Sequence, residues 1–338
     1  MKAMRRRELI LAAGGVLITA AAPLVRPQVT RPPILAIISS VEPVSDIREG
    51  GSPYWSAFLG ELRRLGWRER ENIQIERWSA STEGPEAIYM PVIRRALANE
   101  PTVTVAFGYS NIRGAAAVTS TIPIVGIGTF PSEFTTNLAR PVTNVTGVYV
   151  SSADQQLFAK QMEFLRDATR KSARIAWLGG VRVWANPIGE SFRTGAKLTN
   201  VVLLPVLYSG DLDDAKLHHT FKPIVSGKFD AVLVSPTTGL FLLRSKVAAL
   251  IEKARLPAIG FNSFYSEAGI EMSYGANFRE ILARVAQYTD KILRGAKPGE
   301  LPIEQPAKIE FVVNLKTMRA LGHQLPASIL ARADRFIE

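Results

Sequence analysis

Residues 103–128 read VTVAFGYSNIRGAAAVTSTIPIVGIG. The run 103–108 is short, apolar and β-branched, which predicts a buried strand. An alanine-rich stretch over 111–119 predicts a helix, and the apolar run 122–128 predicts a second strand. Strand, helix and strand in so short a space is the repeating unit of a parallel sheet.

The alternation continues on both sides. Upstream, 33–39 (PILAIIS) predicts a strand. Over 54–65 the apolar residues Trp55, Phe58, Leu59, Leu62 and Leu65 follow a helical spacing closed by Gly66. A strand at 73–78 and a helix at 85–98 complete this half. Downstream the rhythm restarts, with helices over 155–166, 186–198, 212–226 and 240–254. Strands at 173–178, 201–207, 229–235 and 257–261 interleave with them. The fold class is α/β, with two lobes of one template, each a parallel sheet covered by helices. Segments 147–152 (GVYVSS) and 272–277 (MSYGAN) have the composition of hinges. The helix over 278–294 carries Ile281, Leu282, Val285, Tyr288 and Ile292 on one face, and it finds a sheet only by returning to lobe one.

In open parallel sheets, ligands sit outside the carboxyl ends of the strands. Those ends carry Ser39 and Ser40; Tyr109, Ser110 and Asn111 after Gly108; Thr129 and Phe130 after Gly128; Ser235 and Thr237; and Asn262 and Phe264. Tyr274, in the second hinge segment, completes the candidate ligand-binding set. Hydroxyls, amides and helix-terminal N–H groups suit a carboxylate or polar head, and aromatic faces suit an apolar body. Ser, Thr and Asn after a strand are also ordinary helix N-caps. Five such clusters together favour binding.

Other chemistries find no support. The chain has no cysteine, which excludes disulfides, a thiolate nucleophile, a cysteine metal site and a lipid-anchored cleavage site. Of the three histidines, His218 and His219 are helical neighbours about 100° apart, and His323 lies in a C-terminal loop. Neither HExxH nor GxSxG occurs. Residues 189–197 (GESFRTGAK) lack the Gly-Lys-Ser/Thr of a phosphate loop, and Gly126 and Gly128 form half a dinucleotide fingerprint with Pro131 where the third glycine belongs. Asp211, Asp213 and Asp214 read as helix-start acids. No catalytic residue, cofactor or metal is expected.

The first residues give an address. Lys2, Arg5, Arg6 and Arg7 form a basic head, 9–25 is an apolar run, and Ala20, Ala21 and Ala22 offer a cleavage point. This is the anatomy of an export signal over residues 1–28, with a twin-arginine-like Arg5-Arg6-Arg7-Glu8-Leu9. The mature chain is expected in the periplasm, starting between Ala21 and Gln28. Net charge is +11, and the basic head's four basic residues less Glu8 hold +3 of it, leaving +8. That surplus is scattered over Arg63, Arg64, Arg94, Arg95, Arg170, Lys171, Arg244 and Lys246, with no groove for nucleic acid. A monomer with a small-molecule ligand is expected.

Several stretches together resemble one family. They are 58–67 (FLGELRRLGW) with Asn72 and Ile73, 122–125 (IPIV), 138–147 (LARPVTNVTG), 229–234 (FDAVLV) and 256–259 (LPAI). The rest are 267–275 (EAGIEMSYG), 292–302 (ILRGAKPGELP), 314–322 (NLKTMRALG) and 330–338 (LARADRFIE). In order and spacing the chain resembles the ABC-transporter substrate-binding proteins that include the tryptophan/phenylalanine-binding lipoproteins of Gram-positive bacteria. The resemblance implies a type I periplasmic-binding fold of two Rossmann-like lobes, with three crossover strands and the ligand closed in the cleft. Lobe one would comprise 29–148 and 276–305, and lobe two 149–275 and 306–338, with the third crossover near 306–313. It also implies an inner-membrane ABC permease as partner. Where the family commonly has Asp-Pro after the fourth strand, this chain has Gly128-Thr129-Phe130-Pro131. After the third strand it has Gly108-Tyr109-Ser110-Asn111 in place of Gly-Thr-Pro/Ser-Ala. Loss of the acid and gain of aromatics favour an aromatic or otherwise apolar carboxylate over a simple α-amino acid. Glu133 or Glu267 could restore an ammonium site. A sensing module that feeds a membrane signalling protein is the alternative to a transport receptor.

Overall fold

In the computed structural model, the 103–128 unit is the strand Val103–Phe107, the helix Tyr109–Val118 and the strand Ile124–Gly128. The second strand starts two residues later than expected. Pro123 has no N–H to give the ladder and offers only its carbonyl, which accepts from the Thr104 N–H at 2.8 Å. The structure describes residues 31–80, 86–134, 136–141, 143–150, 154–169, 173–227, 229–306 and 308–338. The expected leader lies outside these, as do residues 151 and 152 of the first hinge segment.

In chain order the strands are β1 Ile34–Ser39, β2 Gln74–Ser79, β3 Val103–Phe107, β4 Ile124–Gly128, β5 Val145–Tyr149, β6 Arg174–Gly180 and β7 Val202–Tyr208. There follow β8 Ala231–Val234, β9 Ala258–Gly260, β10 Met272–Ala276, β11 Ile303–Glu304, β12 Ile309–Asn314 and β13 Arg335–Ile337. One sheet has the order β11-β5-β4-β3-β1-β2, the other β13-β12-β10-β9-β8-β6-β7. All neighbours are parallel except β10 and β12, where Tyr274 faces Phe311 in an antiparallel register. The chain therefore crosses between sheets three times, after β5, after β10 and after β11. The two-lobed α/β architecture is as expected. The second sheet is parallel apart from the β10–β12 pair, because β12 enters it from the opposite direction.

Period-two alternation decides which helices cover which face. In the first sheet Leu35, Ile37, Val103, Val105, Val125 and Ile127 pack toward the helices Pro53–Arg64 and Phe278–Leu293. Ile38, Ala106 and Ile124 pack the other way, toward Glu86–Leu97 and Tyr109–Val118. The returning helix after β10 is thus where its apolar face required, tied down by the Tyr288 hydroxyl on the Pro302 carbonyl at 2.7 Å.

Both segments read as hinges contain strands. Their glycines serve close backbone approach rather than looseness. Gly147 has φ +138° and faces Gly126 in the β4–β5 ladder, where an added Cβ would lie 2.1 Å from the Gly126 carbonyl oxygen. At Gly275 a Cβ would lie 1.8 Å from the Phe261 carbonyl oxygen. β10 can pass this close to the end of β9 only without a side chain there.

Candidate ligand cleft

The carboxyl ends of β1 and β3 face those of β8 and β9 across a small, partly open cavity of about 130 Å³. From the first sheet's side it is lined by Val41, Tyr54, Phe107 and Phe278. From the second sheet's side come Pro236, Thr237, Thr238, Phe241, Phe261, Asn262 and Tyr265. Thr237 also borders a pocket of about 400 Å³ formed by residues 180–183 and 208–210. Phe261 borders another of about 190 Å³, beside Tyr149, Asp154, Gln305 and Pro306 near the crossings.

Tyr54 is the centre of the cleft. It stands in the first turn of the helix Pro53–Arg64, whose cap Ser52 accepts the Tyr54 N–H at 3.2 Å. Its ring stacks on Phe241 at 4.3 Å and 21°, and meets Phe264 edge-on at 5.1 Å and 82°. Phe107 and Phe278, from its own side, lie at 5.5 and 5.2 Å. Its hydroxyl accepts from Asn262 Nδ2 at 3.0 Å. Such pairs add about 0.5–1.5 kcal/mol each beyond the area they bury, so this cluster is a strong tie between the sheets.

The polar groups here are neutral. Asn262 caps the next helical turn through Oδ1, which accepts the Phe264 N–H at 3.1 Å. The Tyr208 hydroxyl donates to Thr237 Oγ1 at 2.8 Å. The Tyr265 hydroxyl is buried and has no hydrogen-bond partner among the described residues; burial pushes its pKa far up, so it stays a donor.

Behind the first-sheet wall lies one buried acid. The Glu42 carboxylate, 3% exposed, accepts from Ser39 Oγ at 3.0 Å and Trp55 Nε1 at 2.9 Å, and from Ser52 Oγ. Burial raises its pKa, against the pull of those three donors and the positive charge of Arg244. Arg244 comes from the second sheet's side, its guanidinium 4.6 Å from the Phe241 ring centre and bonded to the Phe241 carbonyl at 3.0 Å.

Of the residues singled out from sequence, Thr237 and Asn262 line the central cavity and Phe264 sits directly behind it. Ser39 is committed to Glu42, while Ser40 and Asn111 both donate to the Phe107 carbonyl, at 3.3 and 3.0 Å. Thr129 Oγ1 donates to the Val150 carbonyl at 3.2 Å. Tyr109 is exposed and Ser110 half-buried at the start of the helix after β3. Ser235 Oγ is buried beside Gly179 without a partner among the described residues.

Two residues are turned away. Phe130 folds back into the core beside Ile112, over Gly126, where a Cβ would lie 2.6 Å from its ring. Tyr274 alternates to the outer face of β10 and packs edge-on against Phe164 at 5.4 Å. Tyr54, Phe107, Phe241 and Tyr265, which also line the cavity, are not among the residues singled out from sequence. Their signal lies in the last residue of a strand and the first turns of the helices that follow. Among the described residues no group of three His, Asp or Glu could hold a metal, and no helix is long and apolar enough to cross a membrane.

Comparison with known proteins agrees with this architecture. Residues 56–337 match the family described as ABC transporter substrate binding protein. A tyrosine-binding protein of Clostridioides difficile is 21% identical over 272 residues, covering 79% of this chain and 76% of that protein. A conserved domain protein from Vibrio cholerae superposes with a TM-score of 0.72 at 21% identity, over 90% of this chain and 100% of that one. An ABC domain from Streptococcus pneumonia in complex with L-Trp does so with a TM-score of 0.69 at 18% identity, over 90% and 100%.

Proposed function

The chain belongs to the ABC transporter substrate-binding proteins, and we propose that it is a periplasmic receptor that captures an aromatic carboxylate in this cleft and passes it to an inner-membrane permease. Binding rather than conversion is its task. The observation that carries the reading is the ring cluster around Tyr54, to which both sheets contribute and which borders a cavity with no charged side chain in its wall. An apolar ring gains dispersion and burial there on every side. The Asn262 amide and the Tyr265 hydroxyl are the groups suited to its polar end. The relatives named for tyrosine and solved with L-Trp support an aromatic body. On this reading 29–148 with 276–305 moves against 149–275 with 306–338, bending at the three crossings.

A thermal-shift screen of aromatic acids, amino acids, short-chain acids and sugars tests it. An aromatic acid at 100-fold its dissociation constant stabilises by about 2.7 kcal/mol. A response confined to sugars or short-chain acids would sink the aromatic assignment. N-terminal sequencing of the periplasmic fraction should find a start between Ala21 and Gln28; recovery only in membranes with Met1 intact would mean an anchored protein.

A further inference from the structure

Tyr54 is held by the opposite sheet's residues as a free phenol would be. Phe241 covers one face of its ring, Phe264 meets it edge-on, and the Asn262 amide donates to its hydroxyl. The backbone beneath is fixed as well, since Ser52 both caps the Tyr54 N–H and donates to the buried Glu42. The ring is therefore part of the wall, and the partly open space left beside it is about 130 Å³. An apolar cavity of about 150 Å³ is known to take a benzene molecule. A fused two-ring body needs more. The larger pocket beyond Thr237 lies behind the Tyr208–Thr237 hydrogen bond of 2.8 Å.

We propose that Tyr54 is the specificity-determining residue of the cleft: its own ring fills half of an aromatic subsite and limits the ligand to a single six-membered ring bearing a carboxylate. This rests on the reading of the ligand as an aromatic acid. Removing the Tyr54 ring merges its place with the cavity and admits a bicyclic body between Phe241 and Phe107. Tyr54→Phe keeps the ring and so keeps the limit.

The test is calorimetric titration of the mature full-length chain with two acids of equal side-chain length, 3-phenylpropanoate and indole-3-propanoate. L-phenylalanine and L-tryptophan form a second matched pair that adds the ammonium group. The wild type should prefer the single ring tenfold or more within the pair it binds. Tyr54→Ala should gain at least tenfold for the indole, and Tyr54→Phe should weaken both members together with their ratio unchanged. A wild type that binds the bicyclic acid as well as the monocyclic one overturns the proposal, whether or not Tyr54→Ala folds. A single-ring preference that survives in a folded Tyr54→Ala also overturns it and leaves the aromatic-acid reading standing. Binding of a non-aromatic ligand with neither pair active overturns both.

Discussion

Asn262 donates from Nδ2 to the hydroxyl of Tyr54 at 3.0 Å, joining two residues 208 positions apart across the cleft. The Asn262 orientation is set independently, because its Oδ1 must accept the Phe264 N–H. The amide therefore presents its donors to the opposite sheet, and Tyr54 supplies the acceptor.

Tyr54→Phe should loosen the contact between the two sheets. It leaves the Asn262 donor buried without a partner, at a cost of about 1–3 kcal/mol. Small-angle scattering of the free variant should give a larger radius of gyration than the wild type. An unchanged radius together with an unchanged melting temperature would mean the hydrogen bond does not hold the sheets together.

Ser110 and Thr129 should separate in behaviour. Thr129 Oγ1 already ties the end of β4 to the Val150 carbonyl at the first crossing, so Thr129→Val should lower the melting temperature of the free protein. Ser110 is half-buried in the first turn after β3, and on the proposed function its hydroxyl bonds the ligand. Ser110→Ala should weaken binding roughly tenfold, the scale of about 1.4 kcal/mol, and leave the melting temperature unchanged. If Ser110→Ala melts early and binds normally, the hydroxyl belongs to the helix start.

The α/β alternation was legible because each buried strand is a short apolar run and each helix an amphipathic one. β5 and β10 were not, since Gly147 and Gly275 give their strands the composition of loops while serving contacts that only the folded backbone displays. The strand ends named Thr237 and Asn262, which line the central cavity. Tyr54 and Phe241 were hidden by their chemistry, because an aromatic in the first turn of an amphipathic helix reads as core. Phe130 is the converse case: nothing local says that Gly126, inside β4, opens a place for its ring in the core.

Glu42 should make the first-sheet side of the cleft sensitive to pH. Its pKa is raised by burial above the ordinary 4.5, so the folded form favours the protonated acid. That contribution is complete below the ordinary value and is lost as pH rises through the raised one. Glu42→Gln carries no such charge, so its stability relative to wild type should improve between pH 4 and pH 8. Glu42→Ala, which strands the donors of Ser39, Ser52 and Trp55, should instead cost about 1–3 kcal/mol. Melting curves of the three proteins across that range decide it, and a wild-type-minus-Gln difference that is flat with pH would count against a buried, titrating Glu42.

His323 should act as a pH-dependent clasp for the C-terminal segment. Its Nδ1 lies 3.0 Å from Glu271 Oε1 and its Nε2 3.3 Å from the Arg255 carbonyl, so both ring nitrogens face acceptors. The imidazolium satisfies both at once. The Glu271 side chain is fully buried, and its other oxygen has no hydrogen-bond partner among the described residues. The Glu271 hydrogen bond accordingly raises the His323 pKa above its ordinary 6.5, against the desolvation that lowers it. With the folded value above the unfolded one, the stabilisation is complete below about 6.5 and is lost as pH climbs through the raised value. His323→Ala should therefore destabilise by about 1–3 kcal/mol near pH 6, where it strands a buried carboxylate, and by less near pH 9. Chemical denaturation of wild type and variant at the two pH values measures this. A loss that is equal at both would mean that His323 stabilises by packing and that its charge is irrelevant.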